Sequence, residues 1–227
     1  MEHPILIIGH SSGIGKALTN LLCRQGIGVI GVSRSEVNEA FSTLQSLQKS
    51  VFDLTEYDLP TALSGVIYCP GSINLKPFRS LKINDFNDDF ETNALGAVYV
   101  LQLAEKALKA GKGSVVLFST IAVAQGMPFH ASVAMAKGAI EGLTRSLAAE
   151  WAPTVRVNAI APSLTDTPLA SKLLGNDARA QAAADRHPLK RIGRAEEMAE
   201  LAQYLLGASW ISGEIIGLSG GMGHIRL

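Results

Sequence analysis

The chain has 227 residues, 47% hydrophobic and 18% charged, with 20 Lys plus Arg against 20 Asp plus Glu. A zero formal net charge argues against a polyanion binder, which needs a basic face to displace counterions from phosphates. The hydrophobic content argues against disorder. Two cysteines, Cys23 and Cys69, are too few for a disulfide scaffold, and no cysteine–histidine cluster has metal-ligand spacing, so no metal is expected.

The first apolar run, Ile5 to Ile8, stops at Gly9. It is too short for a signal-peptide core and reads as the strand that starts the fold. Strands are predicted at 4–8, 27–32, 50–52, 65–69, 114–119, 155–160 and 214–218. They are nearly continuous in apolar residues, as expected for strands covered on both faces of a parallel sheet. Helices are predicted at 13–25, about 84–110, 131–150, about 168–184 and 195–207, the last with Glu196 and Glu197 in its first turn, where the helix dipole favours acids. Residues 36–49 read as either a short helix or a loop.

Residues 113–136 carry no Asp, Glu, Lys or Arg, but Ser114, Ser119, Thr120, Gln125, Pro128 and His130 interrupt them. A membrane span would need ~20 mainly apolar residues; a buried strand, a loop and a helix start explain this stretch better. The expectation is one soluble, cytoplasmic domain over 1–227, an α/β fold with a doubly wound parallel sheet of about seven strands, and no membrane or nucleic-acid partner.

The first strand runs into Gly9-His10-Ser11-Ser12-Gly13-Ile14-Gly15, and a helix pattern follows. Glycines at a strand-to-helix junction permit a tight turn and let backbone N–H groups approach a pyrophosphate at the positive end of the helix. The G-x-x-x-G-x-G spacing is not the commonest dinucleotide fingerprint, and an ordinary glycine-rich turn is the other reading. The second strand discriminates cofactors. An acid at its tip would bind the ribose 2′-hydroxyl of NAD, and an arginine would accommodate the 2′-phosphate of NADP. Here the tip reads Ser33-Arg34-Ser35, so NADP(H) is favoured over NAD(H).

These residues resemble the short-chain dehydrogenase/reductase family over nearly the whole chain. Gly9 to Gly15 is similar to that family's glycine loop, and Asp53-Leu54 to the pair that contacts adenine. Cys69-Pro70-Gly71 sits where the family has Asn-Ala-Gly, and Asn93 matches its structural and catalytic asparagine. Val155 to Pro162 follows the family pattern closely, with Ser163 where glycine is usual, and Thr167 matches the threonine that binds the nicotinamide carboxamide. Pro188-Leu189 through Gly193, then Gly213 and Gly220-Gly221, complete the pattern. The resemblance implies a Rossmann-type fold and a cofactor edge that includes Pro162, Ser163, Leu164 and Thr165. It also implies a substrate lid over about 163–190, where Leu164, Leu169, Leu173 and Leu174 are candidate pocket walls.

The family's chemistry uses a tyrosine and a lysine four residues later on one helix face, with a serine thirteen residues before the tyrosine. Lys137 matches the lysine and would bind the nicotinamide ribose; Thr120 stands for the serine and would polarise the substrate oxygen. The tyrosine position holds Val133, which has no exchangeable proton. Two readings stay open. In the first, the chain is an NADP(H)-dependent oxidoreductase acting on a carbonyl/alcohol or enoyl substrate. Its proton then comes from His130, seven residues before Lys137, where the enoyl-reductase branch carries its tyrosine, or from water. In the second it is a non-catalytic NADP-binding protein, a sensor or partner subunit.

The resemblance further implies a homodimer or homotetramer through the helices at 84–110 and 131–150. Leu95, Val98, Leu101, Leu103, Leu143 and Leu147 are candidate contacts. Trp151 and Trp210 read as core or interface, His10 as a loop-shaping residue, and Cys69 as an inert filler.

Overall fold

The computed structural model describes residues 1–37 and 41–225. The chain alternates strands and helices: β1 (Ile5–Ile8), α1 (Gly13–Arg24), β2 (Val29–Ser33), β3 (Leu44–Gln48) and β4 (Gly65–Tyr68). Then come α2 (Ile83–Phe90), α3 (Gly96–Gly111), β5 (Ser114–Phe118), α4 (Ile121–Gln125), α5 (Ala131–Trp151) and β6 (Arg156–Pro162). A short excursion carries β7 (Thr165–Asp166), α6 (Ser171–Leu174), α7 (Asp177–Asp185) and β8 (Gly193–Arg194) before α8 (Ala195–Gly207) and β9 (Ile215–Leu218). Seven strands form one sheet in the order β3-β2-β1-β4-β5-β6-β9, every neighbouring pair parallel; β7 and β8 pair separately.

The unbroken apolar strands follow from burial on both faces. Successive side chains point to opposite sides of the pleat. Leu6, Ile8, Val66, Val115, Leu117 and Val157 pack against α3 and α5 through Val100, Leu101, Ala104 and Ile140. Ile5, Ile7, Ile67, Val116 and Ile160 pack against α1 and α8 through Leu18, Leu22, Ala202 and Leu205. The long axis of the core is therefore the sheet itself, and β1 and β4 lie at its centre. Strand order reverses between those two strands, which opens a crevice past their carboxyl ends.

Several expectations need correction. The predicted strand at 50–52 is a 3₁₀ turn, Val51–Asp53, and the edge strand is Leu44–Gln48, inside the stretch read as helix or loop. An edge strand pairs on one side only, and its Gln45, Ser46 and Gln48 side chains are not driven to be apolar; residues 38–40 of that stretch lie outside the described residues. The helix predicted over 84–110 is split by a π-helical segment, Glu91–Leu95. The helix predicted over 168–184 is interrupted at Gly175-Asn176, where Asn176 caps α7 by accepting from the Arg179 N–H. Leu101 faces the sheet, and so is no interface residue; Leu95 is exposed, and Val98, Leu103, Leu143 and Leu147 are partly buried. Trp151 is core, whereas Trp210 is 95% exposed.

Arg156 ties the last helix to the sheet. Its guanidinium donates to the carbonyls of Leu205 at 2.9 Å, Ala208 at 2.5 Å and Leu206 at 2.7 Å, at the end of α8 where carbonyls run out of helical partners; Leu205 O also accepts from the Ser114 hydroxyl at 3.2 Å. Replacing Arg156 by alanine is expected to cost about 2–3 kcal/mol. That corresponds to a drop in Tm of about 5–10 °C, measurable by thermal denaturation.

Candidate active site

The turn after β1 is held open by glycine. Gly9 has φ +81°, and a Cβ on Gly15 would stand 2.2 Å from the Gly9 carbonyl oxygen, so the first turn of α1 presses directly on the loop. Ser12 occupies the N-cap without a side-chain cap bond, and the first turn carries no acid. The positive end of α1 is thus presented to the crevice without a competing carboxylate. His10 is buried and its Nε2 lies 3.0 Å from Ser46 Oγ, which fastens the loop to β3; it shapes the loop, as expected.

A continuous cleft of about 520 Å³ starts at this loop. That is within the range of about 300–1,000 Å³ that small-molecule sites occupy. The cleft gathers Gly9, Ser11, Ser12, Gly13, Ile14, Gly15, Ser33, Arg34, Ser35, Cys69, Pro70, Gly71 and Thr167. Leu169 also lines it, as the pocket-wall reading requires. The Ser33 hydroxyl donates to the Ser35 carbonyl at 2.7 Å, which folds the tip of β2 into a turn carrying the exposed Arg34. Beyond Arg34 the wall is Lys49, Ser50, Val51 and Phe52, which the misplaced third strand hid from sequence reasoning. Lys49 is paired with Asp58 at 2.6 Å.

Other candidates lie off the cleft. Leu54 is buried in the core and Asp53 is exposed on its 3₁₀ turn; neither lines the cleft, and Val51 and Phe52 stand in their place. Pro162 and Thr165 lie away from it. Ser163 and Leu164 instead border a smaller cavity of about 120 Å³ with His187, Arg191 and Glu197. His187 Nδ1 faces the Ala183 carbonyl at 2.8 Å, so it carries the proton, and Nε2 accepts from Ser163 Oγ at 2.8 Å. Ser163 therefore anchors the segment that follows α7. Leu173 and Leu174 are partly buried and line neither cavity.

Two of the catalytic candidates, Asn93 and Lys137, lie behind Gly71; neither they nor Thr120 are among the residues that line the cleft. A Cβ placed on that glycine would lie 3.2 Å from Asn93 Oδ1 and 3.7 Å from Lys137 Nζ. Asn93 sits in the π segment, whose wider turn releases main-chain carbonyls; Tyr68 donates its hydroxyl to one of them, Thr92 O, at 2.8 Å. The Asn93 amide donates to Asp89 O at 2.8 Å and Ser72 Oγ at 2.9 Å. Lys137 is buried and donates to Phe118 O at 2.8 Å. Burial pulls its pKa down to about 8, against the opposing influence of Cys69 and Asp89. Burial also pushes the Cys69 thiol up to about 12, so it keeps its proton at neutral pH where it lines the cleft. Thr120 caps α4, its hydroxyl oxygen accepting from the Ala122 N–H at 3.3 Å.

Val133 is buried four residues before Lys137. His130 precedes α5, and its Nδ1 donates to Pro128 O at 2.7 Å; it does not line the cleft. Sequence reasoning missed the Asp89 carboxyl, fully buried one turn before Asn93. Its signal, an acid at i−4 from the asparagine, was lost among the neighbouring acids of Asn87-Asp88-Asp89-Phe90-Glu91.

A glycine loop at the switch point of a doubly wound parallel sheet defines an α/β protein of the Rossmann type. The family described as enoyl-(acyl carrier protein) reductase matches residues 48–223. A tropinone reductase homologue of Arabidopsis thaliana is 32% identical over 240 residues, covering 96% of this chain and 91% of the relative. The 3-oxoacyl-(acyl-carrier-protein) reductase FabG of Thermotoga maritima is 29% identical over 238 residues, covering 96% of each. Among solved structures, ligand-free aldohexose dehydrogenase of Thermoplasma acidophilum superposes with a TM-score of 0.91 at 24% identity, covering 99% of this chain and 95% of that one. ElxO with NADP bound gives 0.88 at 23% identity, covering 98% and 99%. The chain belongs to the short-chain dehydrogenase/reductase family, a family of oxidoreductases. Among the described residues no helix is long and apolar enough to cross a membrane.

Proposed function

We propose that this protein binds NADP(H) in preference to NAD(H) and moves a hydride between the nicotinamide and a carbonyl/alcohol or enoyl substrate. The observation that carries this reading is the single cleft that joins the glycine loop, Arg34 and Gly71, with Asn93 Oδ1 and Lys137 Nζ immediately behind the last. The residues fit such a cofactor: the crowded Gly9–Gly15 contact brings backbone N–H groups to a pyrophosphate, and no acid stands at the tip of β2. Arg34 would clasp the 2′-phosphate with its planar donor fork, with Lys49 beside it on the same wall. Phe52 offers an apolar face to the base, and Thr167 a hydroxyl at the nicotinamide end.

A bound nicotinamide supplies or takes the hydride. The chain's own residues do the remainder: Thr120 polarises the substrate oxygen, Lys137 anchors the cofactor ribose, and Asn93 holds Ser72 and the loop beside them. His130 is the weaker candidate for the proton, because its ring is turned to Pro128 O. The second reading, an NADP-binding protein without turnover, rests on the buried valine at position 133. A cytoplasmic homo-oligomer remains part of the proposal, tested by light scattering.

Calorimetry with NADPH and NADH, followed by turnover on a panel of carbonyl compounds, tests the proposal. Arg34→Ala is expected to weaken NADPH by about 10–100-fold, the value of one charge-assisted contact, and NADH by much less. Equal weakening would refute the coenzyme assignment. Tight NADPH binding with no turnover on any carbonyl would favour the second reading.

A further inference from the structure

β3 ends beside the tip of β2. Ser33 pairs with Gln48 in parallel register, so Arg34 and Lys49, the next residue on each strand, leave the sheet side by side on strands ~4.8 Å apart. The junction is fixed: the Lys49 N–H donates to Ser33 O at 3.0 Å, and Gln48 Nε2 donates to Arg34 O at 3.2 Å. Both cations line the cleft, with Ser35 and Ser50 next to them. Like charges at neighbouring positions of two strands repel. Asp58 relieves that repulsion, its Oδ1 accepting from Lys49 Nζ at 2.6 Å.

Asp58 does not depend on this partner. Its Oδ2 accepts from the Thr55 N–H at 2.9 Å and from the Thr55 hydroxyl at 3.0 Å, the capping box of the 3₁₀ turn Glu56–Asp58. The carboxylate therefore keeps its place when the ammonium leaves. The Lys49 side chain is 36% exposed, and a pair open to water in this way is worth at most about 5-fold in an equilibrium. A phosphate monoester carries about −1.5 to −2 charges at neutral pH, and the Arg34 guanidinium answers only one of them.

We propose that Lys49 is a second specificity-determining residue for the 2′-phosphate, and that Asp58 is the positioning residue that competes for it. When NADP(H) binds, the Lys49 ammonium exchanges the Asp58 carboxylate for a phosphate oxygen beside Arg34. NAD(H) offers only a hydroxyl there, so Lys49 stays on Asp58. Asp58 thus weakens NADP(H) and leaves NAD(H) untouched. This exchange rests on the NADP(H) reading of the cleft and adds the residues that set its strength.

Calorimetry with NADPH and NADH on the double variant Lys49→Met/Asp58→Asn tests it, because that variant removes both charges and keeps the net charge of the wall. NADPH is expected to bind about 10-fold more weakly, the lower end of one charge-assisted contact, and NADH to bind as in the wild type. Asp58→Asn alone frees the ammonium and is expected to tighten NADPH by about 2–5-fold, with NADH unchanged. A strap that merely ties β3 to the 3₁₀ turn would lower the Tm of both variants and leave the ratio of the two affinities alone. An unchanged ratio in the double variant, or no gain for NADPH in Asp58→Asn, overturns the proposal.

Should the double variant fail to fold, a crystal structure of the wild type with NADP+ decides. Lys49 Nζ within about 3 Å of a 2′-phosphate oxygen supports the exchange; Lys49 still on Asp58 overturns it. The coenzyme reading fails separately, if the wild type binds neither dinucleotide or Arg34→Ala weakens both equally. A selective loss of NADPH in Arg34→Ala beside an unchanged double variant leaves that reading standing and overturns the exchange alone.

Discussion

Val133→Tyr is expected to raise NADPH-dependent carbonyl turnover by about 10²-fold, the lower end of what a well-placed general acid contributes. The lower end applies because the introduced ring must first be accommodated in a filled site. The substituted residue lies four positions before Lys137 on α5, so a phenol there shares the lysine's face of the helix. The ammonium beside it favours the phenolate and lowers the phenol pKa towards neutrality. Thr120 caps α4 and Asn93 sits in the π segment, both on elements that pack against α5. The cost is steric. Val133 is only 4% exposed, and inserting a ring into a filled site costs about 1–3 kcal/mol. Thermal denaturation should therefore show a loss of a few degrees, alongside unchanged NADPH affinity. Intact binding with no gain in turnover would mean that Thr120 and Lys137 are not arranged around a reacting oxygen.

Gly15→Ala is expected to weaken NADPH binding by more than about 100-fold and to cost about 2–4 kcal/mol of stability. A methyl group there would meet the Gly9 carbonyl oxygen at 2.2 Å and its carbon at 2.9 Å. Both belong to backbone, so neither can swing aside as a flexible side chain would. Relief requires α1 to move off the loop, which carries the phosphate-facing N–H groups away from the cleft and loosens Leu18 and Leu22 in the core. Calorimetry with NADPH and a thermal melt read both effects. A variant with wild-type Tm and affinity would sink the close-approach account of the loop.

Much of the fold was legible because burial on two faces leaves a strong mark. β1, β2, β4, β5, β6 and β9 were placed within a few residues from their apolar runs. β3 was not, since Leu44–Gln48 is an edge strand with three polar positions among five. The π segment was invisible because its residues keep the helical pattern of α2 and α3, and only the hydrogen-bond register differs. The cleft residues before position 36 followed directly from the strand–loop–helix junction. The wall at Lys49 to Phe52 could not, because its place depends on where β3 ends.

Chain chemistry alone determined the parallel doubly wound class, the glycine loop, Arg34 at the strand tip and the absence of a tyrosine four residues before Lys137. These are local: each is a residue type at a spacing along one element. Tertiary packing decided the rest. It turned His130 towards Pro128, moved Leu54 into the core, committed Ser163 to His187, and set the buried Asp89 against Ser72 and Asn74. The reason is physical. A charge becomes consequential when neighbouring elements exclude water from it, and that exclusion arises where α2, the loop after β4 and α5 meet.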